Sequence, residues 1–293
     1  MTVYTPTAVR RGGARATVRR GAPLACAVTL ILVQIAYPLT SGGGRDRVTV
    51  AVVLLSAGTA LAHATATRGI RYAAAFLVIV SGLGLAAEIV GTATGLPFGC
   101  YEYAVDRLGP ALSGVPLVVP LAWTGGLYPV WVVAGLLAPR AASRIGLLAV
   151  GAVGWDLFLD PQMVADGQWT WCDTGSGLPG LAAIPVTNYL GWCTVALLMG
   201  ALLTLLDRAV PASAGLDNPS NPSAGLDTTV SDSGSVAVPV AVFLWTWLGS
   251  ALAHAVFLGL PVSACYGGIG LAILGLPMLR HLWFSRLRPE PPG

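Results

Sequence analysis

Blocks of roughly twenty apolar residues follow one another along almost the whole chain, and this limits the fold more than any other feature. A helix rises about 1.5 Å per residue, so about 20 apolar residues cross the hydrocarbon core of a bilayer. Blocks of this kind cover residues 22–40, 48–64, 72–90, 114–138, 145–163, 187–206, 237–258 and 261–279. The last two are parted only by a turn near Leu260-Pro261, so seven spans with a re-entrant hairpin is the alternative count. None shows the two-residue alternation of a membrane β-barrel. Composition agrees, with 55% hydrophobic and 10% charged residues, where soluble proteins carry about 25% charged. The expected architecture is all-α, a polytopic helical membrane bundle of seven to eight transmembrane helices with no separate soluble domain.

Every basic residue outside the histidines is an arginine. With the N-terminus inside, one side of the membrane collects Arg10, Arg11, Arg15, Arg19, Arg20, Arg68, Arg71, Arg140, Arg144, Arg208, Arg280, Arg286 and Arg288. The other side keeps Arg45, Arg47 and Arg107. This asymmetry predicts that both termini lie in the cytoplasm, which requires an even number of spans and favours eight. The net charge of +3 therefore reports topology in the cell membrane, and no nucleic-acid partner is implied. The Arg-rich start resembles a signal sequence. The segment after its apolar run, Ser41-Gly-Gly-Gly-Arg45, lacks a small-x-small cleavage pattern, so a retained first helix is expected.

The expected organisation is an Arg-rich N-terminus (1–21), a six-helix body (22–208), a linker (209–235), a C-terminal helix pair (236–280) and a tail (281–293). The linker is rich in Ser, Pro, Asn and Gly and repeats Ser-Ala-Gly-Leu-Asp at 213–217 and 223–227, a composition that cannot bury a core. Loops 91–113 and 164–186 are different. They are rich in Gly, Pro, Trp and Tyr and are expected to fold back as structured lids over one end of the bundle.

Three acids interrupt the apolar blocks beside these loops. Glu88 closes the third block, and Asp156 and Asp160 close the fifth. Ionisable groups within a membrane are costly and usually functional. Asp156 and Asp160 are four residues apart and share one helix face, where two negative charges sit poorly in a low dielectric. A carboxyl group that keeps its proton is the equipment for protonating an apolar substrate. Plainer readings stand beside this one. Asp160 before Pro161 can cap a turn at the water boundary, Glu88 can lock two helices through a Tyr or through Asn188, and Asn188 itself can be helix glue. Tyr101 and Tyr103 flank Glu102 and are candidates to position water or support positive charge. Glu102 and Arg107 read as rim residues. Trp123, Trp155, Trp169 and Trp171 can offer π faces to a substrate, while Trp169 and Trp171 also fit an interfacial belt.

Of the five cysteines, Cys100 and Cys172 both lie in the lid loops, so a disulfide between them is open, and the others read as apolar fillers. His63, His254 and His281 are scattered without ligand spacing, and no metal site is expected. Asp156-x-x-x-Asp160 is similar to the Mg²⁺-diphosphate motifs of membrane prenyltransferases. Such sites need a second acidic cluster and several cations, and this side of the chain offers only three arginines.

The combination Glu88-x-x-Gly-x-x-Thr94-Gly95-x-Pro97-Phe98-Gly99-x-Tyr101-x-Tyr103, with Leu108-Gly109-Pro110, Gly114-Val115-Pro116 and Pro120-x-x-Trp123, resembles the bacterial and archaeal carotenoid biosynthesis membrane family. Trp155-Asp156-x-x-x-Asp160-Pro161-x-Met163, Trp169-x-Trp171, Gly180, Pro185, Asn188 and Gly191-Trp192 extend the likeness over about residues 80–195. Characterised members are carotenoid 1,2-hydratases. The resemblance implies cofactor-free addition of water across the terminal C1=C2 bond of an acyclic carotenoid. Glu88, Asp156 and Asp160 would be catalytic, and the four tryptophans, Tyr101, Tyr103 and Asn188 would bind substrate. The implied partners are the carotenoid, the lipid bilayer and other carotenoid biosynthesis enzymes. A lycopene-cyclase-like isomerase is the near alternative, but its Pro-x-Glu-type helix motif is missing. A non-catalytic carotenoid-binding partner is the alternative from another class, although it would have no use for three intramembrane acids.

Overall fold

The computed structural model describes residues 9–211 and 236–286, and the repeated part of the linker, from residue 212 to 235, lies outside them. Among the described residues, eight helices are long and apolar enough to cross a membrane. They are α1 (Val9–Ala36), α2 (Gly42–Arg68), α3 (Ile70–Thr94), α4 (Val118–Leu137), α5 (Ala141–Ala165), α6 (Val186–Ala209), α7 (Ala237–Leu252) and α8 (Pro261–Arg286). With its continuation to Phe257, α7 reaches 21 residues, so the last two blocks count as two candidate spans rather than one hairpin. A π-turn, Ala253–Phe257, extends α7. Helix α3 also runs past Glu88 to Thr94, and α5 runs through Pro161 to Ala165, so the three acids sit within helices.

Breaks between helices fall where the backbone needs glycine. Gly69, at φ 89°, parts α2 from α3 within a single residue. Gly95 ends α3 in the left-handed region, its N–H returning to the Gly91 carbonyl at 2.7 Å. With apolar lipid outside, helices associate through close packing rather than a hydrophobic drive. Gly154 of α5 and Gly270 of α8 show it. A Cβ added to either would come within 3 Å of the other helix's backbone. Helix α4 is the hub of the bundle, with 72% of its span buried against neighbours. It packs on α2, α3, α5, α7 and α8 and carries Trp123, Tyr128 and Trp131 into the core.

Alternation of the helices places the α3–α4 and α5–α6 connections at the same end of the bundle. There, β1 (Tyr101–Tyr103), which follows α3, pairs antiparallel with β4 (Trp169–Trp171), which follows α5. Two further small ladders, β2 (Ala111–Leu112) with β3 (Val115–Pro116) and β5 (Gly177–Leu178) with β6 (Leu181–Pro185), fold the remaining loop residues. The lids are thus short strand pairs. Cys100 and Cys172, one step beyond the β1–β4 ladder, form a disulfide, and Cys172 N–H donates to the Cys100 carbonyl at 2.8 Å.

Ion pairs mark both ends of the bundle. At the lid end Arg45 meets Asp166 at 2.6 Å and Arg107 meets Asp46 at 2.6 Å, while the Tyr37 hydroxyl also donates to Asp166. Arg107 further donates to the Asp166 and Gly167 carbonyls. Its guanidinium pKa is raised by the hydrogen-bonded Asp46 carboxylate, so the residue clamps the rim in the charged state. At the opposite end Asp207 accepts from Tyr72 at 2.8 Å and pairs with Arg144 at 2.6 Å and Arg68 at 3.3 Å.

Candidate active site

Pairing of β1 with β4 explains the aromatic cluster. Side chains on a strand alternate between faces, and Tyr-Glu-Tyr pairs with Trp-Thr-Trp in the register Tyr101↔Trp171, Glu102↔Thr170 and Tyr103↔Trp169. Glu102 and Thr170 therefore face outward, and the four aromatics turn down onto the helices. Trp169 and Trp171 are each only 7% exposed, so the interfacial-belt alternative does not hold for them. Trp171 Nε1 donates to the Phe98 carbonyl at 3.0 Å.

Beneath this lid stand the three acids, all nearly inaccessible: Glu88 is 3%, Asp156 1% and Asp160 4% exposed. Glu88 Oε2 accepts hydrogen bonds from Tyr101 at 2.5 Å and Tyr103 at 2.7 Å. The phenols spend their hydrogens on that carboxylate, where the sequence suggested contacts with water or cation. Burial first, and then the charge of Glu88, pushes both phenol pKa values well above the ordinary tyrosine value. Both therefore remain donors.

Of the two kinds of partner the sequence offered Glu88, a tyrosine or Asn188, the tyrosines take it, and Asn188 bridges the aspartates. Its Nδ2 donates to Asp160 Oδ2 at 2.5 Å and to Asp156 Oδ2 at 3.3 Å. Helix α6 starts at Val186, which carries Asn188 to the level where α5 presents the Asp156/Asp160 face. Trp169 Nε1 adds a bond to Asp160 Oδ1 at 3.2 Å. Asp160 is thus held in the interior, and the water-boundary cap is ruled out. One amide thus ties the two aspartyl groups together.

All ten residues singled out from the sequence line one cavity of about 450 Å³. Trp123 stacks on Trp192 with centroids 4.1 Å apart and meets Trp155 edge-on at 5.2 Å, forming an aromatic wall beside the acids. Trp192 was missed as a site residue; standing one turn after Asn188, it shares that residue's helix face. Also missed were Tyr37, Gln162 and His254, which line the same space. Among the described residues no arginine does so. Ile35, Leu39, Leu252 and Phe257 line the cavity and are at least half exposed on the outside of the bundle, so it opens sideways between α1 and α7. Such a chamber joins an apolar mouth to three buried acids.

Comparison with known proteins follows the same lines. The chain is 37% identical over 141 residues to a bisanhydrobacterioruberin hydratase of Haloarcula japonica, an alignment covering 46% of this chain and 45% of that one. The chain thus spans about half the length of the curated relative it matches. No solved structure matches it. Residues 48–274, which hold all three acids and the paired strands over them, match the family described as carotenoid biosynthesis protein, and the chain belongs to that family.

Proposed function

We propose that the protein is a carotenoid hydratase, adding water across the terminal C1=C2 bond of an acyclic carotenoid to give a tertiary alcohol. The observation that carries this reading is the set of three buried carboxyl groups beside an aromatic wall, in a chamber open to lipid. Asp156, which shares the Asn188 amide with Asp160, gives its proton to C2. The double-bond electrons form the new C–H bond and leave a tertiary cation at C1. The faces of Trp123, Trp155 and Trp192 stabilise that charge in a water-poor space. Glu88 takes both phenol bonds on Oε2, so Oε1 is available to the attacking water. As the C1–O bond forms, Glu88 accepts the proton that the water sheds. One proton enters and one leaves, and the chemistry calls for no cofactor.

The arginine asymmetry supports a cell-membrane orientation with both termini cytoplasmic and the lid end outside. The Cys100–Cys172 disulfide fits the same orientation, since such bonds persist in oxidising compartments. The curated relative's printed name, a hydratase, supports the reaction class. Expression in a lycopene-accumulating host, with pigments analysed by mass, tests the reading. A gain of one water supports hydration; unchanged mass with a ring-type spectrum would replace it with cyclisation.

A further inference from the structure

The cavity has a second polar flank that the mechanism above does not use: Gln162 on α5 and His254 in the π-turn, backed by Ser263 on α8. Its hydrogen-bond order follows from Pro161. A proline nitrogen carries no hydrogen, so the carbonyl of Leu157, one turn earlier in α5, loses its helical donor. Ser263 Oγ replaces it, donating to Leu157 O at 2.7 Å. That uses the only hydrogen of the hydroxyl, so Ser263 must accept from His254 Nδ1, 2.9 Å away. In a neutral imidazole Nε2 then holds a lone pair, yet the atom placed 3.1 Å from it is Gln162 Oε1, a second acceptor. The two ends of an amide are assigned by their partners. The lone pair requires the NH₂ of Gln162, which turns the amide oxygen away from His254.

His254 is 1% exposed and is carried by the π-turn Ala253–Phe257, an irregularity often found at functional sites. Gln162 and Asp160 stand about 160° apart around α5, on either side of Leu159, and all three line the cavity. Gln162 is also nearer the lid end than Asp156, next to Tyr37, whose hydroxyl reaches Asp166. The acids and this amide therefore approach the chamber from different flanks, the amide on the side nearer water.

Resting on the hydratase reading, we infer that Gln162 Oε1 positions the nucleophilic water and that His254 acts through it by fixing the amide. One hydrogen of the water bonds Gln162. The oxygen lone pair forms the bond to C1, and the proton released goes to Glu88. Losing this hold would leave protonation at C2 intact while the cation waits for water, returning to alkene by shedding a proton from C2.

The test uses the purified full-length protein in D₂O with an acyclic carotenoid, following hydrated product and deuterium at C2 of recovered substrate. Gln162→Met should lower hydration by about 100-fold, the scale of a misplaced reactant, while deuterium wash-in continues, so their ratio changes. His254→Phe should change the ratio in the same direction by less, and it serves if Gln162→Met fails to insert. Hydration and wash-in falling together in both variants would mark a purely structural pair and overturn the inference. Wild-type hydration with an unchanged ratio in both variants overturns the inference alone. A wild type that makes no hydrated product overturns the hydratase reading beneath it.

Discussion

The arrangement of single side chains decides what this chamber can do. Tyr101 and Tyr103 hold one oxygen of Glu88, and Asn188 divides its two amide hydrogens between Asp156 and Asp160. Close packing maintains this. A Cβ at Gly91 would lie 2.7 Å from the Tyr101 hydroxyl, so Gly91→Ala should destabilise by about 1–3 kcal/mol as an overpacked site. It should also cut turnover by displacing Tyr101 from Glu88, and thermal melting beside a hydration assay reads both effects. The phenols give a pH prediction. Their pKa values are raised in the folded state, so their contribution to stability is complete below the unfolded value near 10 and is lost as pH rises above it. Melting in detergent should decline above about pH 10, and less steeply for Tyr103→Phe; identical alkaline slopes would contradict this. The acids themselves were legible in the sequence because carboxylates stand out in apolar runs. The partner of Asn188 was not, since spacing along the chain does not show which helix faces which. His254 was passed over for a similar reason: its contact with Gln162 of α5, and the Ser263–Leu157 bond behind it, are made only by the fold.

Among the elements, the pairing of β1 with β4 turns two loops into one lid. Its alternation was present in Tyr-Glu-Tyr and Trp-Thr-Trp, but three-residue strands 66 positions apart carry too little pattern to be paired from sequence. The disulfide secures that pairing across a separation of 72 residues. Replacing Cys100 and Cys172 together with Ser should cost about 2–5 kcal/mol and lower turnover, because the lid that positions Tyr101 and Trp169 loosens. A double variant with unchanged melting and activity would show that the ladder suffices without the bridge. The helices were far easier to read. The apolar part of each is matched to bilayer thickness, and all eight fall where apolar blocks stand, with helix continuing into polar sequence at the Arg-rich start of α1 and at Thr94.

On the scale of the whole molecule, the arginine asymmetry predicts the orientation and the lateral opening predicts the route of substrate access. Val105→Cys, in the lid-end loop, should react with membrane-impermeant thiol reagents added outside intact cells, and labelling only from the cytoplasm would reverse the topology. Deleting residues 212–232 should leave insertion and activity largely intact, because a polar repetitive segment forms few buried contacts; loss of activity at normal expression would give that segment a role. If Glu88 and Asp156 serve one hydration reaction in a single chamber, purified wild type, Glu88→Gln and Asp156→Asn should differ sharply. Each is given an acyclic carotenoid in ¹⁸O-labelled water and the product is analysed by mass. The wild type should give a labelled tertiary alcohol and each variant a loss of roughly 100-fold or more, as expected when an acid or base is removed, with Asp160→Asn less affected. Near-wild-type labelling by Glu88→Gln or Asp156→Asn would contradict it and leave that residue a structural hydrogen bond.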